Sequence, residues 1–73
     1  MRKHFTAKQQ PRMTARRLQV LERLAHGYTI EEVAREIHVT EATVRTHVQN
    51  IYNELGALNR ADAIRIAKEK HLV

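Results

Sequence analysis

Only three residues, His38 to Thr40, separate two amphipathic segments in the middle of this chain. The first opens with "TIEE". Thr29 can accept the N–H of Glu32, and the Glu32 carboxylate can reach back to the N–H of Thr29, the reciprocal pattern that starts a helix. Val33, Ala34 and Ile37 then follow at helical spacing, and the segment ends near His38. The second segment is "VTEATVRTHVQNIYNELG", Val39 to Gly56. Thr40 suits an N-cap, Glu41 suits the positive end of the helix dipole, and Val44, Val48, Ile51 and Leu55 form one apolar stripe. Gly56 closes it. Two short amphipathic helices with so tight a joint have few ways to bury their stripes. The compact solution is a helix-turn-helix.

Further helices flank this pair. Upstream, the spacing predicts a helix from about Thr14 to His26, with Thr14 as its cap and Val20, Leu21, Leu24 and Ala25 as its buried stripe. Gly27 stops it, since glycine enters positive φ without a Cβ penalty. Downstream, a helix follows Asn59 and runs to about Lys70, with Ala63, Ile64 and Ala67 inward. No strand pattern, internal repeat or low-complexity tract appears. The expected fold is all-α: four helices over residues 13–73, preceded by a flexible basic arm over residues 1–12 that ends around Pro11.

Function first shows on the third helix, on the side away from its apolar stripe. That side carries Thr43, Arg45, Thr46, Gln49, Asn50 and Asn53. A merely solvated face would hold more Lys and Glu. In a helix-turn-helix the second helix of the pair lies in the DNA major groove. There Arg can fork onto guanine O6 and N7, Gln and Asn can pair with adenine, and a Thr methyl can meet thymine's methyl. Arg45, Thr46, Gln49 and Asn50 are the base-reading candidates. Asn53, further along, reaches either phosphate or water. The bland alternative for each is an ordinary exposed polar residue.

Charge points the same way. The chain is 73 residues long with a net charge of +5, and four of its thirteen cations, Arg2, Lys3, Lys8 and Arg12, lie in residues 1–12, which contain no acid. The remaining nine cations face eight acids. A basic arm on a nearly neutral body suits a polyanion, either nucleic acid or an anionic membrane surface, and the bland alternative is a solubilising tail. The absence of Cys rules out a disulfide framework and thiolate metal sites. Five His residues, at 4, 26, 38, 47 and 71, show no i, i+4 pair, so no metal or other cofactor is expected. His47 reads as a packing or phosphate-facing residue, and Tyr28 and Tyr52 as core-edge rings. No apolar run approaches a membrane span, and the N-terminus lacks the apolar core of a signal peptide. A cytoplasmic chain is expected. An enzyme is not, because no nucleophile–base pair, glycine-rich loop or acid pair is visible.

The ordered series "EEVA", "TVRTHVQNIYNELG" and "NRADAI" resembles the LuxR-type, GerE-like DNA-binding domain of bacterial transcription regulators, over about Met13 to Val73. The resemblance implies a four-helix domain that binds double-stranded DNA as a homodimer. It puts Arg45, Thr46 and Gln49 near base edges. It puts Thr40, Thr43 and the N-terminus of the second helix, at Thr29, near phosphates, with His47 and Asn53 as further phosphate candidates. The last helix supplies the dimer contact, here through Ala61, Arg65 and Lys68. It leaves two organisations open, a stand-alone regulator or the tail of a larger one. This chain departs from the pattern in several places. Arg17 stands where a carboxylate usual in the family would complete a capping box. Glu31 and Glu54 stand where Lys is frequent. His71 replaces a Gly, and Leu18 replaces a polar residue. These acids keep a second function in view, a module that docks on another regulator or on RNA polymerase.

Overall fold

The computed structural model describes residues 13–73. Over them the chain forms four helices, α1 (Ala15–Ala25), α2 (Ile30–Ile37), α3 (Glu41–Leu55) and α4 (Arg60–Glu69), and no strand. The expected all-α, four-helix fold is what forms. The arm residues Arg2, Lys3, Lys8 and Arg12 lie outside the described residues.

Each helix starts on the residue whose side chain can cap it. Thr14, Thr29, Thr40 and Asn59 each accept the N–H three residues on. Only at Thr29 does a carboxylate return the bond: Glu32 Oε1 accepts the Thr29 N–H at 2.8 Å. At Thr14 the third residue is Arg17, so its backbone N–H donates to Thr14 Oγ1 at 3.1 Å and no acid stands in the first turn.

The four helices also end alike. In each, an N–H just beyond the end reaches back five residues: Tyr28 to Arg23, Val39 to Ala34, Ala57 to Tyr52 and Leu72 to Ala67. This closure needs one residue in the left-handed region. Gly27 and Gly56 fill that place twice, as expected. His38 and His71, each at φ 60°, fill it the other two times.

The core is wholly apolar, with no buried polar or charged residue among those described. Val20, Leu21 and Leu24 of α1, Val33, Ala34 and Ile37 of α2, Val44, Ile51 and Leu55 of α3, and Ala63 and Ala67 of α4 meet in one cluster. Helix α3 packs on all three others, while α2 and α4 lie apart. Helix α3 is therefore the structural centre of the domain.

Three residues expected inside are only half-buried. Val48 is about 40° round the helix from Val44 at 100° per residue, on the Tyr52 side of the stripe, and both side chains pack on the rim of the core. Ala25 lies about 90° off the centre of its stripe and Ile64 about 80°. Leu18 shares the flank of Ala25 and is half-buried too.

Candidate nucleic-acid interface

The turn between α2 and α3 is tightly built. His38 takes the left-handed conformation, Val39 packs on the core, and Thr40 starts α3. The Thr40 hydroxyl does two jobs: its oxygen accepts the Thr43 N–H at 3.1 Å, and it donates to Thr43 Oγ1 at 3.0 Å. The two threonines thus stand side by side on the exposed first turn. At the start of α2, Thr29 Oγ1 accepts the Glu32 N–H at 3.1 Å. Its own hydroxyl hydrogen has no partner among the described residues.

With α3's stripe anchored, its opposite face is left outward over 15 residues, about 22 Å of helix. Thr43, Arg45, Thr46, Gln49 and Asn53 are exposed there, and Asn50 and His47 are half-buried. The hydrogen-bonding state of these side chains differs. Thr46 donates its hydroxyl to Ala42 O at 3.2 Å, which ties it to its own helix. Arg45 Nη2 donates to Glu41 Oε1 at 3.1 Å, one turn back. Gln49, Asn50 and Asn53 make no side-chain hydrogen bond to any described residue. Three amides on one face therefore keep every donor and acceptor open, in a domain whose other polar side chains are largely engaged.

On α4, Ala61, Arg65 and Lys68 are all exposed. Arg65 is already paired, with Asp62 on one side and Glu69 at 3.0 Å on the other. Those carboxylates raise the Arg65 pKa. The Leu58 N–H, at 3.0 Å, and then Arg65 hold the Asp62 carboxyl below its ordinary value.

Arg60 is the residue whose role sequence reasoning missed. Its half-buried Nη2 donates to Leu24 O at 2.8 Å and Tyr28 O at 2.6 Å, closing the carbonyl end of α1 and pinning α4 to it. A signal existed: a cation in the first turn of a helix opposes the dipole, so its presence there calls for a partner elsewhere. Burial raises the Tyr52 hydroxyl pKa, partly opposed by Arg60. Tyr28 and Tyr52 both sit on the rim of the core. Among the described residues no cluster of three or more His, Asp or Glu can hold a metal ion. None of their helices is long and apolar enough to cross a membrane.

A central helix with an open amide face, preceded by a tight turn and a short supporting helix, is a helix-turn-helix arrangement. The family described as "Bacterial regulatory proteins, luxR family" matches residues 11–67, and the chain belongs to it. It is 41% identical over 63 residues to the probable transcriptional regulatory protein NarL of Mycobacterium tuberculosis, covering 86% of this chain and 29% of that protein. It is 39% identical over 57 residues to the transcriptional regulator MalT of Klebsiella pneumoniae, covering 78% of this chain and 6% of MalT. Among solved structures, the response regulator ChrA of a heme-sensing two-component system superposes with a TM-score of 0.81 at 36% identity, over 89% of this chain and 33% of that one. The chain thus spans a third or less of these relatives.

Proposed function

We propose that this domain binds double-stranded DNA sequence-specifically for a transcription regulator, with α3 in the major groove. The observation that carries the reading is the uncommitted amide face. Gln49 and Asn50 have no partner to give up among the described residues, so pairing with base edges costs them only water there. Arg45 and the Thr46 methyl complete the base-reading set. The hydroxyls of Thr29, Thr40 and Thr43 stand at the starts of α2 and α3, where N–H groups and dipoles favour phosphate. His47, one turn beyond Thr43, and Asn53, near the far end of α3, are further phosphate contacts. Two copies pair on DNA through Ala61, Arg65 and Lys68 of α4. That symmetry calls for an inverted-repeat operator with half-sites one helical turn apart, about 10 bp.

A second reading, docking on another regulator or on RNA polymerase, draws support from the acids at the first turn of α2. Glu31 and Glu32 both stand there, where a DNA-facing helix gains from cations. Selection of duplexes from a random pool separates the two. Under the DNA reading, Arg45→Ala loses about 1–3 kcal/mol on the selected site and little on random DNA. Equal losses on both make Arg45 a phosphate contact, and a chain that enriches no duplex leaves the docking reading in place.

A further inference from the structure

The pair between Glu41 and Arg45 is hard to explain by stability. Both side chains are exposed, at 45% and 64%, with 3.1 Å between Glu41 Oε1 and Arg45 Nη2. Exposed pairs of this spacing contribute little. Arg45 is also the sole Lys or Arg of α3, and Glu41 puts a carboxylate one turn away on the very end of the helix that enters a groove first. For a helix that only needed attraction to a polyanion, this is the wrong charge in the wrong place.

Arg45 has five N–H donors and an arm long enough to reach either a base edge or a phosphate. Sequence information comes only from the first. A carboxylate beside the guanidinium takes one donor, fixes the direction of the fork and leaves four donors open. It also repels phosphate. When water leaves the groove, the effective dielectric falls and the pair tightens. We propose that Glu41 is the positioning residue that sets the guanine specificity of Arg45. It holds the guanidinium toward the base edges and keeps it off the backbone. The inference rests on the DNA reading proposed above, and its test is arranged to separate the two.

The experiment is a double-mutant cycle of Glu41→Gln and Arg45→Ala on the whole chain. The duplexes are the one selected by the wild type, the same duplex with each guanine replaced in turn by adenine, and random DNA. Gln is neutral and keeps the size of Glu, and the Thr40 cap is untouched, so melting curves serve as the control for folding. In the wild type one guanine replacement weakens binding roughly 5- to 100-fold. With Glu41→Gln, binding to random DNA tightens and that guanine preference falls to no more than about threefold. In the Arg45→Ala background, Glu41→Gln still tightens random binding, because a negative charge is gone, but no longer changes any guanine preference. That loss of effect is the signature of action through Arg45. Two results overturn the inference alone: Glu41→Gln keeps the wild-type guanine preference, or it lowers a base preference equally with and without Arg45. If the wild type selects no duplex at all, the DNA reading itself fails and takes this inference with it.

Discussion

At His71 the backbone turns through φ 60° to close α4, with the His71 N–H on Lys68 O at 3.1 Å and the Leu72 N–H on Ala67 O at 2.8 Å. Those two bonds satisfy carbonyls that a helix end otherwise leaves open. A residue with a Cβ is strained in this conformation, by roughly 1–2 kcal/mol. Glycine is not, though it loses more freedom on folding. His71→Gly is therefore expected to stabilise the domain by about 0.5–1 kcal/mol, raising its melting temperature by several degrees. Thermal unfolding of the two chains checks this. An unchanged or lower melting temperature would mean that the histidine ring makes up the backbone cost. His38 has the same conformation but lies in the turn before α3, so its replacement tests stability and DNA binding at once. His71 is the cleaner site.

At the scale of elements, α4 shows how far local reading goes. Its start at Asn59 is a local matter: Asn59 Oδ1 accepts the Asp62 N–H at 2.9 Å, and that spacing is visible in "NRAD". The return bond is visible only in three dimensions. Asp62 Oδ2 accepts the Leu58 N–H at 3.0 Å, fixing the loop that joins α3 to α4. The Asp62 carboxyl is held below its ordinary pKa, first by that backbone N–H and then by Arg65. A lowered carboxyl pKa contributes stability that is present above the unfolded value and lost as pH falls through the folded one. Asp62→Asn can keep the Leu58 bond but lacks the charge. The variant should be less stable than the parent at neutral pH, and the gap should close as pH drops below about 4. Denaturant melts of both chains across that range test it. A gap that stays constant would assign the difference to shape rather than charge. The same contrast runs through the whole domain. The caps at Thr14, Thr29 and Thr40 and the stripes of α1 to α3 follow from residues three or four apart, so they are legible in the sequence. The half-burial of Ala25 and Ile64 follows from their angular offset from the stripe, and Val48 sits beside Tyr52 on the rim of the core. The grip of Arg60 on Leu24 and Tyr28 crosses more than thirty positions, so its partners leave no mark in local spacing. The candidate base-reading residues were legible for a chemical reason: amides in a row are unusual on a solvated face. What spacing could not show was that Arg45 is tied to Glu41 and Thr46 to Ala42, while Gln49 and Asn50 stay open.

At the scale of the molecule, the question is where attraction to DNA originates. Residues 13–73 carry nine Lys or Arg against eight Asp or Glu, and the four cations Arg2, Lys3, Lys8 and Arg12 precede them. Several of the nine are committed. Arg23 pairs with Glu36, Arg35 with Glu31, Arg45 with Glu41, and Arg65 with Asp62 and Glu69. Arg60 is turned inward onto carbonyls. The body therefore offers a candidate reading face but little net field, and α3 by itself has two acids against one Arg. Residues 1–12 are the concentrated source of positive charge. Each phosphate neutralised contributes about −0.9 to the slope of log affinity against log salt. Removing residues 1–12 should therefore flatten that slope, by up to about 3.6 if all four cations sit on phosphates. Affinity should fall on selected and random duplexes alike, while the ratio between them holds, because Arg45, Thr46, Gln49 and Asn50 remain. Titrations at several salt concentrations, with and without residues 1–12, measure both quantities. An unchanged slope would return the burden of attraction to the body, with Arg16, Arg17 and the starts of α2 and α3 as the places to search. A lost ratio would mean that the arm reads sequence itself, as basic arms do when they enter a minor groove beside the reading helix.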